Sequence, residues 1–403
     1  MIMHDYDCVN TECYFSIFTK KLIENCIKIK LQYISMEPIV NKIVENNGIL
    51  EFTLQNVDVS VANSIRRVIL SEIDVNAFIT EKFEENQCKI FENTSRFHNE
   101  IVKQRLSCIP IHMTDLDVLP GKYILEVKKE NTEKQNIYVT TEDFKIKNKE
   151  NQNYLSAEEV KKIFPADDIT GDYISFVRLR PQWSNQLPGE KIHLECEFSK
   201  SNAKENGMYN VASICSFGNT MDMEKVHKEW NQRESKMKAD GSTEKEIEFE
   251  RKNFMLLDAQ RIFVEKSFDF SIKGIGVYEN KVLVHKACDI MVSKLEKFIH
   301  DIDADIVFIR MSENTLEHSF DIIIENEDYT LGKVIEFGIY EKYFEKEKLL
   351  EFCGFKKFHP HDTQSVLRMA YIMPMDKAII KQHLKGITAE VINVYKNIMK
   401  MFS

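Results

Sequence analysis

The sequence contains no CxxC pair, so the usual ligand spacing of a structural zinc site is missing. Its nine cysteines (Cys8, Cys13, Cys26, Cys88, Cys108, Cys196, Cys215, Cys288 and Cys353) are scattered over 403 residues. The odd count, with no apolar leader at the N-terminus, predicts free thiols in a reducing, intracellular setting. No apolar run approaches the ~20 residues that a membrane-spanning helix needs, which predicts a protein independent of membranes. GxxxxGK[ST], HExxH and GxSxG are all missing, and Gly274-Ile-Gly276 lacks the third glycine of a dinucleotide fingerprint. No nucleophile–base pair is readable. An excess of positive charge is lacking too: 54 Lys and Arg stand against 64 Asp and Glu, a net −10. The chain as a whole is therefore no electrostatic nucleic-acid binder, which leaves only a local basic site. These absences point to a scaffold without a catalytic centre, metal or cofactor of its own.

What is present is a repeated pattern. Leu50, Phe52 and Leu54 alternate with Glu51, Thr53 and Gln55, the period of a half-buried strand. Asp58 and Ser60 then offer helix caps, and Val61, Ile65, Val68, Ile69 and Ile73 follow at helical spacing. A strand over 77–82 is expected next. The stretch 85–215 is irregular, with a short helix over 99–106 and a strand over 136–140. A strand pair is expected over 173–179 and 191–198, turning at Pro188-Gly189. Residues 222–252 are densely charged and predict one or two solvated helices broken at Asp240-Gly241-Ser242, a linker or surface hairpin. Phe268, Phe270 and Ile272 alternate as a strand, and Val284, Ala287, Met291, Leu295, Phe298 and Ile302 form a seam with steps of three and four.

The scheme then recurs: a strand over 320–324, a helix over 330–339 capped by Asp328 or Thr330, a strand over 365–371, and a last helix. Ile380, Leu384, Ile387, Val391, Val394, Ile398 and Met401 line that helix. Strand, capped helix, strand and seamed helix thus occur twice, an α+β arrangement that suggests a pseudo-symmetric dimer within one chain. Residues 1–46 give no clear pattern beyond a helix over 18–29. Periodicity alone fits a generic coiled-coil adaptor or dimeric α+β protein equally well.

Specific motifs narrow the choice. Residues 52–73 (FTLQNVDVSVANSIRRVILSEI) resemble the opening motif of the RNA polymerase alpha family, which includes bacterial alpha, the archaeal D polypeptide and the third subunit of eukaryotic RNA polymerase II. Residues 99–111 (NEIVKQRLSCIPI) resemble the family's next helix and its Arg-Leu…Ile-Pro ending. Leu179-Arg-Pro, Pro188-Gly189-Glu190 with the following KIHL, and Ala203-Lys204-Glu205 resemble its third block, and FDFSI (268–272) resembles the strand before the dimerisation helix. Residues 326–335 (NEDYTLGKVI) and 352–360 (FCGFKKFHP) resemble the partner, the archaeal L polypeptide or the eleventh eukaryotic subunit. Both partners' motifs in one chain resemble the fused layout of polymerases from large cytoplasmic DNA viruses. There are departures. Asn206-Gly207-Met208-Tyr209 stands where the family usually ends its third block with His-Ala-Lys-Trp. Residues 182–187 read as an insertion, and the cysteine-rich loop of some third subunits is reduced to Cys88.

The resemblance implies five segments. These are an extension (1–46), a third-subunit-like dimerisation domain (47–84 with 254–303) interrupted by an insert domain (85–221), a charged linker or hairpin (222–253), and an eleventh-subunit-like dimerisation domain (304–403). It implies a non-catalytic assembly platform that docks the two largest polymerase subunits and small platform subunits, and meets DNA and RNA only through the complex. Its implied setting is a viral factory in host cytoplasm and the virion, with the nucleus as the alternative. Asn63, Arg66, Arg67 and Arg105 are the implied docking residues. The plainer readings are a solvated charged face for the Arg pair and a helix C-terminal cation for Arg105. Leu295, Phe298, Leu331, Gly332, Leu384 and Val391 are the implied dimerisation residues. Glycine costs a helix roughly 1 kcal/mol, so Gly332 implies close helix packing. The rival is a metal-dependent hydrolase using His359, His361 and Asp362, although three such groups around a proline converge poorly on one ion.

Overall fold

A computed structural model describes residues 36–403, apart from 82–83, 183, 185–187, 314–315 and 403. The helix expected over 18–29 lies outside the described residues. The chain divides into two units, residues 1–37 and 38–403, and the second carries the elements described here.

In chain order that unit begins with a hairpin, β1 (Ile39–Asn46) and β2 (Ile49–Gln55), then helix α1 (Val59–Ser71). An inserted region holds β3 (Val75–Ala77), β4 (Cys88–Asn93), α2 (Asn99–Ser107), β5 (Tyr123–Glu130), β6 (Ile137–Thr140) and β7 (Phe144–Asn148). It continues with α3 (Ala157–Ile163), β8 (Ser175–Leu179), β9 (Lys191–Glu197) and β10 (Ser199–Ser201). Next come β11 (Ala212–Met221), α4 (Met223–Ala239), α5 (Glu244–Leu256), β12 (Phe263–Gly274) and the long α6 (Asn280–Asp303). The last part is β13 (Phe308–Met311), β14 (Ser319–Glu325), α7 (Tyr329–Ile339), β15 (Leu350–Lys356), β16 (Gln364–Tyr371) and α8 (Lys377–Lys400), with a π-helical turn at Tyr340–Lys346 after α7.

Two antiparallel four-stranded sheets share one plan. The first runs β1-β2-β12-β11 and the second β13-β14-β16-β15. In each, a hairpin leads to a short helix, then to the far edge strand, then to the central strand, then to a 24-residue helix. The alternation seen in sequence builds the first sheet: Leu50, Phe52 and Leu54 are buried beside Phe270 and Ile272 of β12, while Glu51 is exposed. Thr53 is buried as well, and its hydroxyl donates to Asp269 across the ladder at 2.7 Å. Asp58 caps α1 by accepting from the Ser60 N–H at 2.7 Å, and Asp328 caps α7 by accepting from the Thr330 N–H at 2.7 Å. The cap expected at Asp328 or Thr330 is therefore Asp328.

The α6 seam is buried at each position read from the sequence. The α8 seam is buried from Ile380 to Ile398, but Met401 lies past the last turn and is exposed. Beyond the helix, Phe402 turns back to set its ring edge-on to Phe52 at 4.9 Å.

Several local expectations change. The strand expected over 77–82 is the short β3, paired only with β10. β8 and β9 do not pair with each other across Pro188-Gly189. β8 joins β6, while β9 lies between β4 and β5. The Gly189 Cα packs on the Asn131 carbonyl, where any Cβ would collide. Residues 39–46 are an edge strand of the first sheet rather than extension, and 212–221 are the opposite edge rather than insert. The charged segment forms two helices, α4 and α5, that bury Val226, Trp230 and Phe254 together with Ala259 in a small core. The insert keeps a separate core including Val102, Leu106, Leu125, Phe144, Phe176 and Leu194.

Gly332 was expected to serve helix packing, but its neighbour is a strand. A Cβ there would lie 2.1–2.5 Å from the Phe355 ring of β15. The glycine that meets a helix is Gly338, where a Cβ would come within 2.6 Å of Ile387 on α8. Gly332→Ala is expected to lower stability by about 2 kcal/mol, because overpacking outweighs the gain in helix propensity. Urea denaturation measures it, and an unchanged midpoint would show that Phe355 moves aside freely.

Candidate functional site

The candidate site lies where the two sheet-and-helix halves meet. α6 packs along α8, and α1 packs on both α6 and α7. Leu295, Phe298, Leu331, Leu384 and Val391 are all buried. Both long helices run their three-four seams on the packed face, which is why each can be apolar along its whole length without exposing a stripe.

Polar groups set the register of this join. Ser64 lies on the buried face of α1, and its hydroxyl is 2.5 Å from the Tyr395 hydroxyl of α8. Burial pushes the Tyr395 phenol far up, so it stays a neutral hydrogen-bonding group. Arg67 Nη2 donates to Asp328 Oδ2 at 2.5 Å, tying α1 to the cap of α7. Burial raises the Asp328 carboxyl, but the Thr330 hydrogen bonds and Arg67 together hold it below the usual range. Lys294 Nζ on α6 sits 2.6 Å from Glu72 and 3.1 Å from Glu327. All three side chains are mostly shielded from water. Desolvation dominates at Glu327 and pushes its carboxyl up even with Lys294 alongside. Lys294 is opposed by its own burial, yet the two carboxylates hold its ammonium above the usual range. Farther along the helices, Lys396 pairs with Glu296 at 3.1 Å and Lys385 with Asp303 at 2.6 Å, while Lys381 pairs with Asp305.

The expected docking residues are not gathered in one place. Arg66 Nε and Nη2 donate to Asn63 Oδ1 at 3.1 and 2.8 Å on the half-buried side of α1. Beside them runs a groove spanning both halves, lined by Asp58, Val59, Phe217, Lys333, Phe337 and Tyr340 among others. Arg67 turns the other way, into the join, as the ~100° step between neighbouring helix residues requires. Arg105 belongs to the insert. Its Nε donates to the Phe176 carbonyl at 2.7 Å and its Nη2 to the Ser175 carbonyl at 2.8 Å, tying α2 to β8, and its guanidinium lies over the Phe97 ring. Arg105 is thus a cation in the last turn of α2, as the plainer reading has it, and also makes a specific backbone tie.

The His359–Asp362 stretch is an exposed turn. Asp362 accepts from the His359 N–H at 2.9 Å, and His359 Nδ1 accepts from the His361 N–H at 3.2 Å. Among the described residues no three His, Cys, Asp or Glu side chains gather to hold a metal ion, and the hydrolase reading gains no support. Among the same residues no helix is long and apolar enough to cross a membrane. Sequence reasoning missed Ser64, Lys294 and Glu72. The available signals were a hydroxyl on an otherwise apolar helix face and a lysine beside the seam residue Leu295.

Comparison with known proteins bears directly on this arrangement. The conjugation stage-specific protein of Tetrahymena thermophila is 27% identical over 182 residues, 41% of this chain and 54% of its own length, so the chain spans about half of that relative. The DNA-directed RNA polymerases I and III subunit RPAC1 of Bos taurus is 23% identical over 302 residues, 63% of this chain and 82% of its own. The Homo sapiens RPAC1 is 22% identical over the same extent. The family profile described as the RNA polymerase Rpb3/Rpb11 dimerisation domain matches residues 51–295, more than half of the chain. Helix α1, the inserted region, strands β11 and β12, and most of β2 and α6 fall within that match, and the chain belongs to the RNA polymerase Rpb3/Rpb11 dimerisation domain family.

Proposed function

We propose that this chain is a non-catalytic assembly-platform subunit of a multisubunit DNA-directed RNA polymerase, with its two halves forming an internal pseudo-heterodimer. The observation that carries the reading is the shared order of the two sheets, β1-β2-β12-β11 and β13-β14-β16-β15, with the long helices α6 and α8 packed together. A plan used twice, with each copy covering the other's apolar helix, is what a fused pair of alpha-like subunits requires. The first half, interrupted by the insert, takes the third-subunit role and the second half the eleventh-subunit role. Such a fusion fits the polymerase layout of large cytoplasmic DNA viruses, with the viral factory, virion or nucleus as its place of work.

The platform docks the two largest subunits, and smaller ones, through α1 and the groove beside it. Asn63 and Arg66 are the contact residues on that face. Arg67 and Arg105 serve docking through what they hold in place: Arg67 the join of the halves, Arg105 the position of α2. Nucleotidyl transfer and its metal then belong to a partner, and DNA and RNA reach this chain only through the complex.

Affinity purification of the tagged chain followed by mass spectrometry tests the assignment. The two largest RNA polymerase subunits are expected to co-purify. Recovery of the folded chain with no polymerase subunit would end the reading. In Arg66→Glu, charge reversal at a desolvated contact is expected to cut that recovery at least tenfold. The thermal melt should stay unchanged, because among the described residues Arg66 hydrogen-bonds Asn63 on its own helix and nothing in the other half. Undiminished recovery would make Arg66 ordinary surface charge.

A further inference from the structure

We propose that Cys88 and Cys196 form a reversible cross-strand disulfide, a peroxide-sensitive thiol pair that fastens the edge strand of the insert sheet. The two residues face each other directly in the β4–β9 ladder. The Glu197 N–H donates to the Gln87 carbonyl at 3.4 Å, so 87 and 197 are the hydrogen-bonded pair and 88 and 196 the adjoining non-hydrogen-bonded one. Non-hydrogen-bonded partners bring their Cα atoms to about 4.5 Å, inside the range a disulfide spans. The two side chains lie on the same buried face of the sheet. No other described cysteine is so placed. Cys215 faces Ile272 and Cys353 faces Met369 across their ladders, Cys288 lies on α6, and Cys108 is exposed.

The chemistry has a defined direction. The Cys196 side chain opposite, with some help from Lys103, holds the Cys88 thiol below its ordinary range against its own burial. The Cys196 thiol is pushed far up by Cys88 beside it and by burial, and it donates to the Glu197 carbonyl at 3.6 Å. Cys88 stands on the edge strand, the first to meet peroxide when that edge opens, and is the attacking thiolate. It displaces hydroxide from hydrogen peroxide as the O–O bond breaks, giving a sulfenic acid. The Cys196 sulfur then attacks the Cys88 sulfur, forming S–S and releasing water. Two thiols lose two electrons and two protons, and one peroxide becomes two waters. Access runs through the sheet margin, because β4 is the outermost strand of β4-β9-β5-β7 and Cys88 is its first residue. Edge strands open locally at low cost. Closure ties strands far apart in sequence, so it removes a large loop freedom from the unfolded chain.

The test uses the full chain, reduced, freed of thiol, exposed to hydrogen peroxide, alkylated and digested without reduction. The expected product is one peptide pair joined through Cys88 and Cys196, two hydrogens lighter than its parts and separated again by dithiothreitol. The oxidised chain is expected to melt about 5 °C higher than the reduced one. Cys196→Ala should lose that shift and Cys108→Ala should keep it. Full alkylation of both Cys88 and Cys196 after peroxide would overturn the proposal. So would bridges made only by other cysteines, or a shift that persists in Cys196→Ala. The linked peptide is read in the unsubstituted chain, so the outcome does not depend on either variant folding.

Discussion

Leu295→Asp is expected to leave no cooperative unfolding transition for the two packed halves at 37 °C. Leu295 is 0% exposed at the middle of α6, in the buried seam of that helix. Removing its side chain alone would cost about 2–5 kcal/mol, as large-to-small changes in cores do. The carboxylate adds the cost of an unpaired charge buried among apolar groups, several kcal/mol more. The sum approaches the roughly 5–15 kcal/mol by which a folded protein typically exceeds its unfolded state. Val391→Asp places the same charge in the buried seam of α8, beside Gly338 of α7, and should behave alike. Lys297→Asp, an exposed change two residues along the same helix, should melt within about 1 kcal/mol of the parent. Calorimetry of the three variants separates the outcomes. If Leu295→Asp melts like Lys297→Asp, the α6 seam is not tightly packed, and the intramolecular pairing that rests on it fails.

That helix pair was the most legible part of the sequence, for a physical reason. A buried helix must place an apolar group on one side at every turn, so sustained steps of three and four leave little freedom in what the segment becomes. Caps were legible for the same kind of reason, since Asp58 and Asp328 offer a carboxylate just where unpaired N–H groups begin. Strand partners were not legible. Nothing local tells 191–197 to sit between β4 and β5 rather than beside β8, because ladder partners are chosen by side-chain packing between distant segments. The edge strands β1 and β13 were missed for lack of alternation, since the exposed Ile39, Ile43, Val44, Phe308 and Met311 break the pattern an edge strand would otherwise show. The docking arginines show the limit most clearly. Arg66 and Arg67 are adjacent in sequence and alike in chemistry, yet Arg66 bonds its own helix and Arg67 bonds the other half. Its partner Asp328 is 261 residues away, and helical phase alone could not name it.

Lys294→Met is expected to destabilise the chain by about 3 kcal/mol at pH 7, and the deficit is expected to shrink on acidification. Lys294 is the shared counter-ion of Glu72 in the first half and Glu327 in the second, at 2.6 and 3.1 Å. Breaking a buried pair from one side typically costs 3–5 kcal/mol, because it strands the opposite charge. The lower end applies here because the three side chains keep some contact with water. Methionine retains the length and apolar stem of the lysine, so the effect reports charge rather than a cavity. The direction with pH follows from Glu327. Burial already holds its carboxyl above the usual range, and Glu72 raises it further. Without Lys294 the two carboxylates repel with nothing between them, and the folded-state value climbs again. A carboxyl whose folded value lies above its unfolded one weakens the fold at high pH, and that penalty disappears as pH falls through the folded value. The wild type behaves oppositely at the other end of the scale. Its raised lysine contributes stability below the unfolded lysine value near 10.4 and loses it only as pH rises through the still higher folded value. Thermal melts of both proteins at pH 5 and pH 7 therefore give a difference that is wide at pH 7 and narrow at pH 5. A deficit of equal size at both would mean that Glu327 and Glu72 do not strain each other, and that Lys294 holds the halves together by packing rather than by charge.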